Sequence, residues 1–535
     1  MKKYYLTTPL YYVNSKPHIG HSYTEIAADV LARWHRLNRE EVYFLTGTDE
    51  HGQKIAKAAV EAGIPPQEFT DKISLTFREL WKTLNISEHD FIRTTEERHK
   101  KSVAYVWNQV KSKKIKGEDV LYRHTYDGFY CVSCETFVTL ESGAPAVCPD
   151  CKRPLERMKE ETYFFRMSAY QDRLIKDIKE GAFKILPESR RNEVLGFLEH
   201  NKLSDLSVSR PKSRLAWGIP IPFDLEHVTY VWFDALINYV SAVGYGADEV
   251  KFKKWWPADV HIIGKDIIRH HAVIWPILLY TLDIPLPKLI FAHGWWTVDG
   301  EKMSKSRGNA LDPTEIVKQY GVDPYRYFLL RETPFGEDGT FSDEALIKRF
   351  NMDLANDLGN LLNRSLTMCE KYFLGEVPKD IKYEAIEEKI KSSGMEELIS
   401  SMRSHDALRD QANALFATLN PLMKRLAFSE ALANIWMLIS KANKYIEKYA
   451  PWTLSKEGKT EELKLVILTL VEVLKVIAQA VWPFMPTTGE AIWIQLGLSG
   501  KPYDVPFKED MWGFFEKGGK IAKGTPLFPR IEVKK

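Results

Sequence analysis

The sequence predicts an α/β architecture: an open α/β sheet, split by an insertion and followed by an all-α bundle. Three observations carry this. Strand-like runs that end in small or polar residues alternate with amphipathic stretches over residues 1–114 and again over 226–295. Four of the five cysteines gather between 131 and 151 as two CxxC pairs, which marks a module of its own. From Asp343 onward the apolar residues repeat with a helical period nearly throughout.

The first strand is Tyr4–Thr8, with β-branched and aromatic bias. Beyond it stand Pro17, His18, Ile19, Gly20 and His21. A helix over Glu25–Arg36 follows, with Ile26, Ala27, Val30, Leu31 and Trp34 on one face. His18 and His21 thus sit at a strand-to-helix crossing, where free backbone donors and the helix dipole favour an anion. Gly20 lets a flat ligand or a phosphate approach the main chain. The next strand, Glu41–Thr46, ends in Gly47, Thr48, Asp49, Glu50, His51 and Gly52. Open α/β sheets place ligands beyond strand ends of this kind. Asp49 reads either as a helix cap or as a carboxylate that faces a substrate amine. Helices over Lys54–Ala62, Pro66–Leu84 and Glu96–Lys111 complete this half. Lys111, Lys113, Lys114 and Lys116 form either a solvated face or a contact for an RNA backbone.

Cys131, Cys134, Cys148 and Cys151 could close a tetrahedron of thiolates around one Zn2+ per chain. With four protein ligands no position is left for substrate, so this metal is expected to be structural. The flanking segments carry β-type residues and turn glycines, Gly128 and Gly143, as a small metal-pinned ribbon would. The zinc-bearing insertion is expected over 115–225, its far side marked by Pro211, Pro220 and Pro222.

In the second half His227–Phe233 is strand-like, and Asp234, Ala235, Leu236 and Ile237 begin a helix that carries Tyr239. A strand over Asp259–Ile263 ends in Gly264, Lys265 and Asp266, and a helix with His270, His271 and Trp275 runs to about Leu282. Adjacent helical residues point about 100° apart, which argues against a metal shared by His270 and His271. Tyr12, Trp232, Tyr239 and Trp275 could line an apolar cavity for a flexible, unbranched thioether. The strand Lys288–Ala292 reaches His293, Gly294, Trp295 and Trp296. Then comes a glycine-flanked loop with Lys302, Met303, Ser304, Lys305 and Ser306.

Helices are expected over 343–373, 386–404, 406–421, 428–449 and 460–483, punctuated by Pro421, Pro451 and Pro483, with a surface connection at 374–385. At 535 residues the chain needs more than one core. Its net charge of +2 announces no acidic partner by itself, so any nucleic-acid contact must come from local patches. The amino terminus runs through Lys2 and Lys3 straight into a strand, unlike a secretory signal, and no uncharged apolar stretch is long enough to span a bilayer. A cytoplasmic protein without a membrane partner is expected.

The stretches His18–His21 and Lys302–Ser306, in this order, resemble the paired signatures with which class I aminoacyl-tRNA synthetases hold the triphosphate of ATP from two sides. The whole chain resembles the methionyl-tRNA synthetases. The best local matches are Thr8–Asn14, Gly47–Gly52, Val231–Ala235, Gly264–Ile267, Lys302–Ser306 and Leu527–Arg530. The resemblance implies formation of methionyl-adenylate from L-methionine and ATP. It also implies transfer to the 3′-terminal adenosine of tRNA(Met), initiator and elongator. It implies a class I Rossmann-type catalytic domain at 1–114 and 226–295 around the insertion, then a linking module at 296–350. A helical anticodon-binding domain at 351–495 and a C-terminal extension at 496–535 complete the plan.

Carried over motif by motif, Leu10, Tyr12, Trp232, Ala235, Leu236, Tyr239, His271, Ile274 and Trp275 are expected to line the methionine pocket. Asp49 is expected to hold the α-ammonium, with Arg210 as its ion-pair partner. Gly20, His18, His21, Gly264, Asp266, Lys302, Met303, Ser304, Lys305 and Ser306 are expected to meet ATP, with Mg2+ arriving on the nucleotide. Among them His18, His21, Lys302 and Lys305 are the expected catalytic groups. Asn360, Arg364 and Trp452 are expected to read the anticodon. Leu236 and Ile274 stand where some relatives have proline and phenylalanine, and both keep the wall apolar. No C-terminal dimerising domain is visible, so a monomer is expected. A sister synthetase for leucine, isoleucine, valine or cysteine is the nearest alternative. The space between the signatures is short for an editing domain, and a closed four-cysteine site leaves no zinc position for a cysteine substrate. A non-catalytic, synthetase-derived tRNA-binding protein is the other alternative, and the intact lysine loop and both histidines argue against it.

Overall fold

The computed structural model describes residues 2–132, 135–138, 140, 145–149, 152–298, 301–302, 311–379, 381, 396–515 and 518–532. For Thr136, Phe137, Val298, Glu301, Lys302 and 396–404 it describes the backbone alone. Seven parallel strands make the central sheet. They are β1 (Lys3–Thr7), β2 (Tyr11–Tyr12), β3 (Glu41–Asp49), β4 (Asp90–Arg93), β5 (Lys184–Leu186), β6 (Val260–Gly264) and β7 (Leu289–His293). Across the sheet the order is β5–β7–β6–β1–β3, and both β2 and β4 pair with β3. The chain therefore leaves β1 towards β3 on one side, while β6, β7 and β5 lie on the other. That reversal makes a crevice at the carboxyl ends of β1 and β6. Eight of the nine residues of β3 are buried, as expected of a strand covered on both faces. Lys184–Leu186 lies inside the segment expected as an insertion, yet it forms the sheet edge against Leu289–Phe291.

Helix α1 (Ile19–Leu37) is buried nearly all round and forms the spine of the molecule. Its polar residues survive burial because they are paired. Asp29 lies 2.7 Å from Arg33 and 2.6 Å from Arg326, and burial opposes the charge that these two cations sustain, so the carboxyl is held down at about 2. Arg326, in the helix Val322–Arg331, also donates to the carbonyls of Leu84, Phe484 and Pro483. One guanidinium thus ties the sheet to the helical bundle. The remaining helices of the first half are α2 (Gln53–Glu61), α3 (Pro66–Thr83) and α4 (Glu97–Lys111).

Two elements depart from the reading of periodicity. Trp232 and Phe233 do not continue a strand: the strand is Asp224–Thr229, and Val231–Leu236 is a short helix. Aromatic residues suggest a strand there, but Phe233, Ala235 and Leu236 pack into the core on helical spacing. Of the helices expected over 386–404 and 406–421, residues 386–395 lie outside the described residues and the rest forms one continuous helix over Glu396–Lys424, with Pro421 one turn from its end. The bundle continues through Phe428–Tyr449, Pro451–Lys456, Thr460–Val481 and Pro486–Gln495. Glu376–Val377 pairs antiparallel with Gly519–Lys520, so the C-terminal stretch returns to the bundle. Among the described residues no helix is long and apolar enough to cross a membrane.

The zinc expectation needs correction. Antiparallel strands Leu121–Cys131, Thr136–Val138, Glu156–Phe165 and Leu206–Ser207 form the expected ribbon. Among the described residues, however, no group of three or more His, Cys, Asp or Glu side chains is placed to hold a metal ion, which argues against a structural Zn2+. Cys131 and Cys148 pack with Val138 and Leu155 as a small apolar cluster, a role that cysteine fills readily. Cys134 and Cys151 lie outside the described residues. The finding bears on zinc alone, since Mg2+ that travels with ATP is held mainly by phosphates and water.

Candidate active site

The crevice is built on the start of α1. His18 caps the helix from extended backbone, and its Nδ1 accepts from the Gly20 N–H at 3.1 Å. His21 Nδ1 accepts from the His18 N–H at 3.0 Å. The two rings lie 3.9 Å apart, and Tyr11 and Phe77 meet His21 edge-on. Because each Nδ1 is an acceptor, each neutral ring carries its proton on Nε2. Two oriented N–H donors then stand beside the positive end of a 19-residue helix, an arrangement suited to a polyanion.

The facing wall comes from β6 and β7. Asp266, just past Gly264, accepts from the Trp295 indole at 3.0 Å, and Lys265 pairs with Asp338 at 2.6 Å. Thr24 of α1 lies 2.7 Å from the His293 ring at the end of β7, and Tyr23 meets Trp296 edge-on at 5.7 Å. Trp296–Val298 pairs with Glu301–Lys302, so the root of the lysine loop is fixed against α1. Met303, Ser304, Lys305 and Ser306 lie outside the described residues, as does the side chain of Lys302.

At the end of β3, Asp49 is almost wholly buried, and its Oδ1 has no hydrogen-bond partner among the described residues. Burial, with Asp234 and Glu135 close by, raises its pKa well above the ordinary carboxylate range. A buried carboxylate under this pressure is poised for an incoming cation. Arg210, its expected partner, donates to Ser207 and Ser209 and faces the Glu160 carboxylate at 4.0 Å.

Next to Asp49 lies an aromatic cluster. Tyr12 meets Trp232 edge-on at 5.8 Å, and Tyr239 lies 5.7 Å from both His271 and Trp275. His271 Nδ1 donates to the Ile267 carbonyl, so its Nε2 accepts from the Tyr239 hydroxyl at 2.7 Å. Burial lowers the His271 pKa to about 4, which keeps the ring neutral at physiological pH. Leu10, Ala235, Leu236 and Ile274 pack into the surrounding apolar surface. The result is an aromatic-walled recess ending at the Asp49 carboxylate.

Several residues here escaped the sequence reading. Asp234 accepts from His51 at 2.8 Å and from His99 at 2.6 Å, and His99 meets Ser241 at 2.9 Å. Burial works against the Asp234 charge, yet His51 and His99 hold its pKa below the usual value. Asp234 stood within the quoted Val231–Ala235 stretch, so its position was visible but its partners were not. His270 stacks on Trp232 at 3.7 Å, and burial brings its pKa to about 3.

Beneath the crevice, Glu25 of α1 accepts from Thr8 at 2.8 Å and from Thr46. Burial raises its pKa to about 8, more than the hydrogen bonds from Thr46 and Thr8 can offset. Below pH 4.5 this carboxyl is protonated in both folded and unfolded chains. Between there and about pH 8 only the unfolded chain ionises, so stability falls as pH rises. Glu25→Gln should remove that slope. The variant is expected to exceed the wild type by roughly 4 kcal/mol at pH 8 and by little at pH 4.5, read from paired urea melts. A difference independent of pH would contradict this.

In the bundle, Asn360 is exposed and Arg364 stands one turn further along the same helix. The Arg364 guanidinium lies 5.8 Å from the ring of Trp452, which is 45% exposed, and pairs with Glu447. Arg364 and Trp452, from different helices, thus meet at the surface, with Asn360 one turn from Arg364.

Comparison with known proteins gives the family. Residues 4–159 and 146–366 match the family described as tRNA synthetases class I (M), and residues 400–535 match the anticodon binding domain of methionyl tRNA ligase. The chain is 48% identical over its full length to the methionine–tRNA ligase of Caldanaerobacter subterraneus subsp. tengcongensis, covering 80% of that protein. It is 45% identical to the Thermotoga maritima enzyme, over 99% of this chain and 81% of the other. Among solved structures, Mycobacterium tuberculosis methionyl-tRNA synthetase in complex with methionyl-adenylate superposes with a TM-score of 0.89 at 39% identity, over 99% of this chain and all of that one. The free form of the same enzyme gives 0.83 at 35% identity. With a nucleotide crevice at the sheet switch point, an aromatic recess beside it and these matches along its length, the chain belongs to the class I methionyl-tRNA synthetases.

Proposed function

We propose that the crevice at the ends of β1 and β6 is where this chain joins methionine to ATP, and that the residues named above do the work. The chain is a methionine–tRNA ligase: it activates L-methionine to methionyl-adenylate and transfers the methionyl group to tRNA(Met). In the first step a methionine carboxylate oxygen attacks the α-phosphorus. A C–O–P anhydride forms, the bond to the β-phosphate breaks, and pyrophosphate leaves. In the second, a ribose hydroxyl of the terminal adenosine attacks the methionyl carbonyl, and AMP leaves.

No protein nucleophile is needed, so the protein's part is alignment and charge. Asp49 holds the α-ammonium. Tyr12, Trp232, Ala235, Leu236, Tyr239, His271, Ile274, Trp275 and Leu10 enclose the thioether chain, with Arg210 near the amino-acid end. His18 and His21 offer Nε2 protons to the phosphates from one side, with Gly20 allowing close approach. Lys302 and Lys305 meet the leaving pyrophosphate from the other, within the loop that includes Met303, Ser304 and Ser306. Gly264 and Asp266 border the nucleoside. The observation that carries this reading is the buried Asp49 carboxylate, whose Oδ1 has no hydrogen-bond partner among the described residues, at the base of an aromatic recess. Labelled pyrophosphate exchange into ATP tests it. Methionine should support exchange, and leucine, isoleucine, valine and cysteine should not. Exchange driven by one of those four instead of methionine would defeat it.

Asn360, Arg364 and Trp452 read the anticodon on the same proposal, with the Trp452 ring as a stacking platform. Trp452→Ala should slow tRNA(Met) charging by about thirtyfold, since one stacked base is worth roughly 1–3 kcal/mol. Pyrophosphate exchange should stay within about twofold of the wild type. Equal losses in both assays would contradict an anticodon role. A cytoplasmic location belongs to the same reading, because charged tRNA is consumed where translation runs.

A further inference from the structure

One residue of the insertion enters the methionine recess. Glu135 adopts a left-handed backbone conformation (φ 52°), and is 2% exposed. Its main-chain carbonyl accepts from the Tyr230 hydroxyl at 2.7 Å, immediately before the helix that carries Trp232 and Ala235. Its Oε1 accepts from the Lys54 N–H at 3.1 Å, in the first turn of α2. The approach is so close that a Cβ on Gly52 would lie 2.6 Å from Oε1, and Gly52 itself has φ +104°, so only glycine fits. The carboxylate also lies against Tyr12: among nearby charges Glu135 weighs most on that phenol, ahead of Asp49. Neither the Tyr12 hydroxyl nor Glu135 Oε2 has a partner of ideal geometry among the described residues. Tyr12 in turn packs on Trp232 and carries the Lys54 ammonium 5.1 Å from its ring. Glu135 therefore touches three parts of the recess: its side chain meets Tyr12 and the turn after Asp49, and its main chain meets Tyr230, the residue before the Trp232 helix.

We propose that Glu135 is a positioning residue for methionine, holding Tyr12 and the Asp49 turn in register so that the insertion becomes part of the amino-acid site. It contacts no reacting atom; it acts through Tyr12 and through the first turn of α2. The inference rests on the reading that this recess takes methionine. A merely structural role would look different, because loosening the insertion alone would lower stability or disturb methionine and ATP alike.

The test is steady-state pyrophosphate exchange with the full-length chain. Glu135→Ala is expected to raise KM for methionine about tenfold, with kcat and KM for ATP within about twofold of the wild type. Glu135→Gln keeps an acceptor for the Lys54 N–H and a polar group for Tyr12, so it should stay within about threefold. Adding Tyr12→Phe to Glu135→Ala should cost much less than the sum of the single changes, as groups acting through one contact do. Should Glu135→Ala not fold, Glu135→Asp withdraws the carboxylate while keeping its charge, and should raise KM for methionine about fivefold. A methionine KM unchanged in these variants, an equal loss on ATP, or a glutamine variant as poor as alanine would overturn the proposal. Wild-type chain that fails to exchange with methionine would defeat the active-site reading itself, a result distinct from any of these.

Discussion

Asp49→Ala is expected to lower kcat/KM for methionine by roughly a thousandfold, with KM for ATP nearly unchanged. The size follows from burial. Truncating one partner of a desolvated charge pair costs about 2–5 kcal/mol, largely because the other charge is left stranded. Here the stranded group would be the substrate's own ammonium. The surroundings of Asp49 add a pH signature. Burial and the neighbouring Asp234 and Glu135 carboxylates raise its pKa, so the empty site keeps its proton to a higher pH than an exposed aspartate would. Only the ionised form pairs with an ammonium. The KM for methionine should therefore rise as pH falls through the raised pKa, and in Asp49→Asn that dependence should vanish. Isothermal calorimetry with methionine and pyrophosphate-exchange kinetics across pH check both parts. An Asp49→Ala variant with near-normal methionine KM would sink the assignment.

His21→Ala should cost about two to three orders of magnitude in kcat for adenylate formation, with little change in KM for methionine. A preorganised donor aimed at developing charge is typically worth about 3–4 kcal/mol. His21 meets that description because the His18 N–H occupies its Nδ1 and so fixes the proton on Nε2. Lys305→Ala should produce a loss of about a hundredfold in the same step, from the opposite side of the triphosphate. Single-turnover formation of methionyl-adenylate separates this from binding. A variant whose defect lay wholly in substrate affinity would contradict the role given to either residue.

How far the sequence led depends on whether a signal was local. The His18–His21 turn was legible because a strand, a glycine and an amphipathic helix surround it within forty residues. Asp49 was legible as a carboxylate at a strand end, though a helix cap was an equal reading until its burial was seen. The bundle was legible from periodicity, but not the continuity of Glu396–Lys424, since Pro421 looked like a boundary rather than a tolerated late residue. Trp232 and Phe233 misled because aromatic residues favour strands and buried short helices alike. The partners of Asp234, and the reach of Glu135 into the recess, had no local signal. His99 and Asp234 are 135 residues apart, and Glu135 meets Lys54 across 81. The cysteine spacing erred the other way. It suggested a zinc centre, whereas among the described residues no metal-holding group forms, and Cys131 and Cys148 are packed with Val138 and Leu155.

A crystal structure of the chain with a non-hydrolysable methionyl-adenylate analogue would test the central claim most directly. The account predicts the analogue's ammonium within hydrogen-bonding distance of Asp49 and its thioether among Trp232, Tyr239 and His271. Its phosphate surrogate should lie beside His18 and His21. An analogue lodged elsewhere, or one whose amino group faces away from Asp49, would contradict it.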